Sequence, residues 1–336
     1  MKKSLLKKIM CGALAAAMIM SICTGCGSEK KDDSKSEGNT EKTYKVGICQ
    51  LTQHEALDAA TKGFQDALKE KLGDKVEFDL QNASGDSATC ATIANQFVHD
   101  GVDLILANAT PALQAAMAAT GDIPIVATSI TDFATALEAD EWTGKTGINV
   151  TGTSDLAPLD KQAAMIKELL PEAKTVGILY CSSEANSKYQ ADVVKAELDK
   201  LGLTSKVYTV ADTNEIATVV TKACEEVDCL YIPTDNTIAE ATAAVKEVAE
   251  PKNIPIVAGE EGICRGCGIA TLSISYYSIG YEAGLMAYDI LVNGKDPADM
   301  EIKYATELTN KYVKERTTAL GITVPDTYEA IEMSEE

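Results

Sequence analysis

Aromatic residues make up only 5% of this 336-residue chain, with one Trp, four Phe and two His, and basic residues are outnumbered, 30 Lys+Arg against 51 Asp+Glu. Each shortage excludes something. Two histidines, His54 and His99, without Cys or His partners at ligand spacing, leave no metal set of the usual kind. A formal net charge of −21 repels phosphate backbones, and no basic block beyond the extreme N-terminus offers a footprint for nucleic acid. Also missing are a GxSxG elbow, a P-loop and a GxGxxG after a strand, so none of the usual nucleophile–base or phosphate-cradling sets supports an enzyme. No cofactor or metal is expected. Few aromatics also limit how many stacking walls any cleft can have.

What is present is a globular composition. The chain is 46% apolar, enough for a sizeable core, and its length suggests about two domains of roughly 100–200 residues each. Lys2, Lys3, Lys7 and Lys8 lead into fourteen uncharged, mostly apolar residues, Ile9 to Ile22, the layout of a secretory signal. That run falls short of the roughly 20 residues a bilayer span needs. Thr24 and Gly25 before Cys26 resemble a bacterial lipobox, with Cys23 where Leu is usual. The expectation is a signal peptide over 1–25, lipidation at Cys26, and a location on the extracytoplasmic face of the cell membrane. Removing residues 1–25 raises the net charge to −25, because every acidic residue lies beyond the cut. Residues 26–43, polar and without aliphatic or aromatic side chains from Gly27 to Thr43, read as a flexible tether reaching roughly 20–25 Å.

Of ten cysteines, two lie in the signal and one is the lipid site. The other seven are expected as buried small apolar residues or free thiols in a large domain. Cys264-Arg265-Gly266-Cys267 is the single CxxC. An apolar strand, Gly268–Ser273, follows it directly, so a loop disulfide is expected rather than thioredoxin-like chemistry, which wants the motif opening a helix.

Segments 44–128 and 174–258 are alike at an offset near 130. Tyr44–Ile48 matches Lys174–Ile178, Lys75–Phe78 matches Lys206–Thr209, Val102–Leu106 matches Val227–Ile232, and Ile123–Ala127 matches Ile254–Ala258. Between them run helical periodicities at Glu55–Leu72, Ala88–Asp100, Pro111–Thr120, Tyr189–Leu201, Asn214–Glu226 and Thr237–Ala249. Alternating apolar strands and helices imply parallel βαβ units, hence two Rossmann-like α/β lobes, each a parallel sheet flanked by helices. Ile148–Thr151, Ile269–Ser273 and Ile302–Thr306 are the expected crossings of a multi-strand hinge. Lobe 1 is then 44–152 plus about 274–303, and lobe 2 is 153–273 plus about 304–330.

Sheets of this kind bind ligands beyond the carboxyl ends of their strands, and polar clusters stand there in both halves. HEALDAA, NATPA, TGTSD, GILYCSSEANS, PTDNTI and SYYSIGYEAG, in that order over nearly the whole mature chain, resemble the ABC-transporter substrate-binding proteins that include tryptophan- and tyrosine-binding members. Two departures are Phe133, where family members often have Pro, and CRGC. The resemblance implies a type I periplasmic-binding-protein fold that closes on one small ligand, an aromatic or other hydrophobic L-amino acid, and delivers it to an ABC permease and its ATPase. Carried onto this chain, it raises Gln53, His54, Leu57, Asn108, Ala109, Thr110, Thr128, Ser129, Asp155, Glu184, Asn186, Asp235, Asn236, Gly259 and Glu260 as ligand-binding candidates.

An amino acid needs donors for its carboxylate and acceptors for its ammonium. Helix starts with hydroxyls, Thr110 with Asn108 or Ser129 with Thr128, suit the carboxylate. Asp235 is the expected ammonium partner, oriented by Asn236 and Asn186, with Asp155 and Glu184 as alternative carboxylates. Position alone makes helix capping an equal reading for Asp235 and Asn186, since Asp and Asn are favoured caps. His54 is expected at the cleft mouth. A lipid-anchored sensing receptor, or a binder of a sugar or vitamin, remains an alternative to amino-acid import.

Overall fold

The computed structural model describes residues 42–333. The signal, Cys26 and nearly all of the tether lie outside these. The first half of the chain lays down β1 (Tyr44–Gln50), α1 (Glu55–Leu72), β2 (Val76–Asn82), α2 (Ser87–Asp100), β3 (Leu104–Asn108), α3 (Thr110–Ala119), β4 (Ile125–Ile130), α4 (Phe133–Ala136) and β5 (Val150–Ser154). The chain then crosses to α5 (Leu159–Leu169), β6 (Thr175–Cys181), α6 (Ala185–Lys200), β7 (Thr204–Val210), α7 (Ile216–Cys224), β8 (Cys229–Ile232), α8 (Asn236–Glu240), α9 (Thr242–Ala249), β9 (Ile256–Ala258), α10 (Glu261–Cys267) and β10 (Ala270–Ser273). It ends with α11 (Tyr276–Asn293), β11 (Lys303–Tyr304), β12 (Thr309–Tyr312), α12 (Lys314–Ala319) and β13 (Glu329–Ala330).

Sheet order makes the internal repeat visible. One sheet runs β11-β5-β4-β3-β1-β2 and the other β13-β12-β10-β9-β8-β6-β7, so the five core strands of each half follow the same order. Even a detail of the strand starts recurs. Asp103 accepts the Lys45 N–H at 2.8 Å in one half, and Asp228 accepts those of Lys174 and Thr175 at 2.8 Å in the other. All pairings are parallel except β10 with β12, an antiparallel addition to the second sheet.

Three connections join the two sheets: β5 to α5, β10 to α11, and β11 to β12. The first sheet reaches further than the sequence boundary at 152, because Thr153 and Ser154 pair with Lys303 and Tyr304 of β11. Two helical segments also differ from the periodicity. Thr237–Ala249 breaks at Ala241 into α8 and α9, and α6 begins a turn before Tyr189, where Asn186 and Ser187 continue its buried face.

Helix ends are set by side chains immediately after the strands. Asp86 caps α2 through Ala88 N–H (2.6 Å) and Thr89 N–H (3.1 Å), and Ser275 caps α11 through Ser278 N–H (3.1 Å). Gly101 and Gly294 end those helices at φ of +63° and +67°, in the left-handed region. Helix α1 carries Glu55 and Asp58 in its first turn and Lys69 and Lys71 in its last, as its dipole favours.

Helix α11 belongs with the first lobe, where it packs along α1. The two backbones approach so closely that a Cβ on Gly63 would fall on the Tyr277 carbonyl, and one on Gly280 on the Ala60 carbonyl. Since neither neighbour is a flexible side chain, Gly280→Ala forces the helices apart and should destabilise by about 1–3 kcal/mol. A thermal melt measures this; an unchanged Tm contradicts the packing.

Candidate functional site

The carboxyl ends of β1, β3, β4 and β5 from one lobe and of β6, β8 and β9 from the other carry every candidate residue, or lead straight into it. Backbone strain marks two of these ends. Ala109, just after β3, has φ +89°, and Ser129, in a register break of β4, has φ +56°. Both are non-Gly residues held on neighbouring strands in conformations that cost of order 1–3 kcal/mol each.

Several side chains meet from opposite lobes. His54 Nε2 lies 3.2 Å from Asn236 Oδ1, and the Thr52 hydroxyl donates to Glu240 Oε2 at 3.1 Å. Arg265 of α10 pairs with Glu55 at the start of α1 and with Glu261 at 2.8 Å. On the first lobe's own side, at the end of β5, Tyr276 of α11 donates its hydroxyl to Asp155 Oδ2 at 2.8 Å. A cavity of about 320 Å³ opens at this rim, lined by Gln53, His54, Glu55, Glu240, Glu260 and Arg265. Burial lowers the His54 pKa against the pull of its hydrogen bond to Asn236 and of nearby Glu184, Asp58 and Glu240.

The acidic candidates divide into caps and one open carboxylate. Asp235 accepts from Ile238 N–H at 2.9 Å, the cap of α8, and from Cys181 N–H at 2.6 Å, so both its oxygens hold main chain. Glu184 accepts from the Asn236 and Thr237 N–H groups (3.1 and 2.8 Å), the Asn236 amide (2.7 Å), the Thr237 hydroxyl (2.8 Å) and the Asn186 amide (3.0 Å). Glu260 caps α10 through Gly262 N–H at 2.6 Å and Ile263 N–H. The expected ammonium partner Asp235 is thus the capping residue of the two readings. Asp155 differs: only its Oδ2 is held by Tyr276, and its Oδ1 is buried without a partner. Burial raises its pKa against the hydrogen bond from Tyr276.

Three further expectations change. The Leu57 side chain packs in the first lobe's core, and only its carbonyl faces a candidate, accepting from Asn108 Nδ2 at 2.9 Å. Gly259 is required for close backbone packing, since a Cβ there would lie 2.5 Å from Thr234 N. Phe133, the departure from the family, is buried in the same core, its ring stacked 6.2 Å from that of Trp142. Thr128 bonds Thr153 across the strands at 3.0 Å, Thr110 is buried at the start of α3, and Gln53 is exposed at the rim. CRGC forms no loop: it is the end of α10, and Cys264 and Cys267 are buried free thiols, like the five other cysteines among the described residues. Arg316 binds the carbonyls of Cys264, Arg265, Gly266 and Gly268 at 2.7–2.9 Å and so closes that helix end.

Buried polar atoms without partners concentrate at the strand ends: Asn108 Oδ1, Ser129 Oγ, Asp155 Oδ1 and Asn186 Oδ1. Each belongs to a candidate residue. Gln50 and Thr61, absent from the candidates, support Asn108 from behind. A polar Thr on the buried face of α1, beside Leu57, Ala60 and Phe64, is the sequence signal that would have found it. Among the described residues no cluster of three or more His, Cys, Asp or Glu could hold a metal ion, and no helix is long and apolar enough to cross a membrane.

Two similar lobes closing on unsatisfied polar groups define a small-molecule binding protein of the clamshell kind. Residues 45–332 match the family described as ABC transporter substrate binding protein, and the chain belongs to that family. It is 37% identical over 304 residues to a tyrosine-binding protein of Clostridioides difficile, covering 88% of this chain and 87% of that one. A Streptococcus pneumoniae ABC domain solved in complex with L-Trp superposes with a TM-score of 0.82 at 36% identity, over 86% of this chain and all of that one. The ligand-free, open structure of a Clostridium difficile substrate-binding protein with adhesive properties, 35% identical, gives 0.66 over 87% of this chain and all of that one. At nearly equal identity the liganded neighbour fits better, which agrees with the cross-lobe bonds: the lobes here are closed. Proteins of this family bind a small-molecule substrate outside the cytoplasm and work with an ABC permease.

Two outcomes follow from the caps. In Asp235→Asn an amide NH2 group must face either Cys181 N–H or Ile238 N–H, which should cost about 1–3 kcal/mol of ligand-free stability in a denaturant titration; unchanged stability contradicts the capping role. Burial and the neighbouring Glu184 charge push Asp235 above its ordinary 3.8, and burial pushes Glu260 up to about 7 from 4.5. The folded chain therefore holds protons that the unfolded chain has released, so this contribution is lost progressively above the ordinary carboxyl values and is gone once the folded groups ionise. Ligand-free Tm should fall from about pH 5 to about pH 7.5; a rise over that interval contradicts the assignment.

Proposed function

We propose that the protein captures one aromatic L-amino acid between its lobes and delivers it to a membrane permease, held at the membrane by a lipid on Cys26. No turnover chemistry belongs to this reading. The observation that carries it is the set of buried oxygens without donors at the strand ends, Asn108 Oδ1, Asp155 Oδ1 and Asn186 Oδ1. A ligand that satisfies them must bring N–H or O–H groups, and a primary ammonium brings three.

In this reading Asp155, with Tyr276 on its other oxygen, takes the ammonium in place of Asp235. The hydroxyls of Thr110 and Ser129 and the start of α3 take the carboxylate. Support for an aromatic side chain comes from the relatives: one is named for tyrosine and another was solved with L-Trp.

Thermal-shift screening of the mature domain against amino acids, sugars and vitamins tests the ligand class. Ligand at 100 times its Kd adds about 2.7 kcal/mol of stability, a readable shift. Aromatic L-amino acids should give it; a response to sugars alone, or to nothing, sinks the reading. Asp155→Asn should weaken binding by about 10- to 150-fold, the loss of a charge-assisted bond of about 1.5–3 kcal/mol. Calorimetry reads this, and an unchanged Kd removes Asp155 from the site. Cys26→Ala should move the protein from the membrane fraction to the medium without altering ligand affinity; retention at the membrane contradicts the anchor.

A further inference from the structure

The orientation of one amide at the strand ends is dictated by groups well behind it. Gln50, the last residue of β1, donates from Nε2 to the Thr52 carbonyl (2.8 Å) and to Asp58 Oδ1 (2.7 Å). Both partners are acceptors only, so the Gln50 amide cannot turn over without setting its oxygen against theirs. Its Oε1 therefore faces the other way and accepts the Thr61 hydroxyl proton at 2.6 Å. With its proton committed, the Thr61 oxygen offers only lone pairs to its next neighbour. That neighbour is Asn108 Nδ2, which donates to Thr61 Oγ1 at 2.9 Å and to the Leu57 carbonyl, a third acceptor-only group, at 2.9 Å. Both Asn108 N–H groups are consumed. Its Oδ1 is left buried without a partner, one strand away from Thr128 and the strained Ser129.

We propose that Gln50, Thr61 and Asp58 are positioning residues that lock Asn108 with its carbonyl oxygen free, so that the site presents an acceptor and selects ligands that carry a donor cation at that point. The inference rests on the amino-acid reading above for the identity of that cation. Free to rotate, the Asn108 amide would offer a donor as readily as an acceptor, and selection between a cationic and a neutral ligand end would be lost there. Locked, it leaves a neutral end facing a buried unpaired oxygen, and so supplies discrimination. All four side chains except the exposed Asp58 are buried, which keeps water from competing for these bonds.

The test compares L-tyrosine with 3-(4-hydroxyphenyl)propanoate, the same molecule without its ammonium, by calorimetry on the mature protein. Thr61→Val removes the hydroxyl and nearly preserves the volume. It should weaken L-tyrosine at least tenfold and the propanoate less than twofold, shrinking the ratio of the two affinities, and Thr61→Ser should restore the ratio. Gln50→Met, which cuts the chain one step earlier, should shrink the ratio in the same direction. Equal losses for both compounds, or an unchanged ratio in both variants, overturn the proposal. A second readout needs no ligand. Hydrogen exchange of the Asn108 side-chain NH2, followed by NMR, should be protected in the native chain and accelerated by either substitution. Rapid exchange in the native chain also overturns it. A native protein that binds neither L-tyrosine nor L-tryptophan sinks the amino-acid reading, while the exchange measurement still decides the orientation of Asn108.

Discussion

Asn108 Oδ1, Asp155 Oδ1 and Asn186 Oδ1 lie buried with no donor, and in the proposed reading the ligand on which the lobes close answers them. An unpaired buried acceptor costs about 1–3 kcal/mol, so a closed cleft without ligand carries several such costs at once. Cross-lobe bonds such as His54–Asn236, Thr52–Glu240 and Arg265–Glu55 bring the rims together. The Arg265–Glu55 pair, with Glu55 exposed, is wetter and weaker than bonds made inside. A ligand that supplies donors to the interior removes the cost only in the closed state, and this is the differential affinity that a clamshell needs to shut on its substrate.

The fold makes such a site nearly unavoidable. Parallel strands with right-handed crossovers put all their carboxyl ends on one edge, and repeating the unit sets two such edges on one chain. The three connections then tie the lobes together at one side, and α11 returns to α1 so closely that glycine is needed where the helices touch. The strong negative charge takes no part in this. Among the described residues the buried acids are Asp155, Glu184, Asp235 and Glu260; the other acidic side chains are not buried and serve solubility, while these four act through individual bonds.

Strand and helix positions and the family were legible because apolar periodicity and the repeat are properties of whole segments. The roles of single polar residues were not. Asp235, Glu184 and Glu260 stand immediately after strands, where a ligand contact and a helix cap have the same sequence signature, and only the N–H groups they accept from tell the two apart. Asp155, ranked second, lacks a helix to cap and keeps an oxygen free. Gln50 and Thr61 escape a sequence reading because their side-chain partners are 8 to 47 residues away, a separation that no local pattern reports. The CRGC run misled for a related reason: its short helix is completed by Arg316, some fifty residues later.

A crystal structure of the mature protein with its bound amino acid is the most direct test of this account. It predicts the ligand nitrogen within about 2.7–3.2 Å of at least two of Asn108 Oδ1, Asp155 Oδ1 and Asn186 Oδ1. A ligand whose nitrogen is held elsewhere, with those three oxygens paired to protein groups or to water, would contradict it.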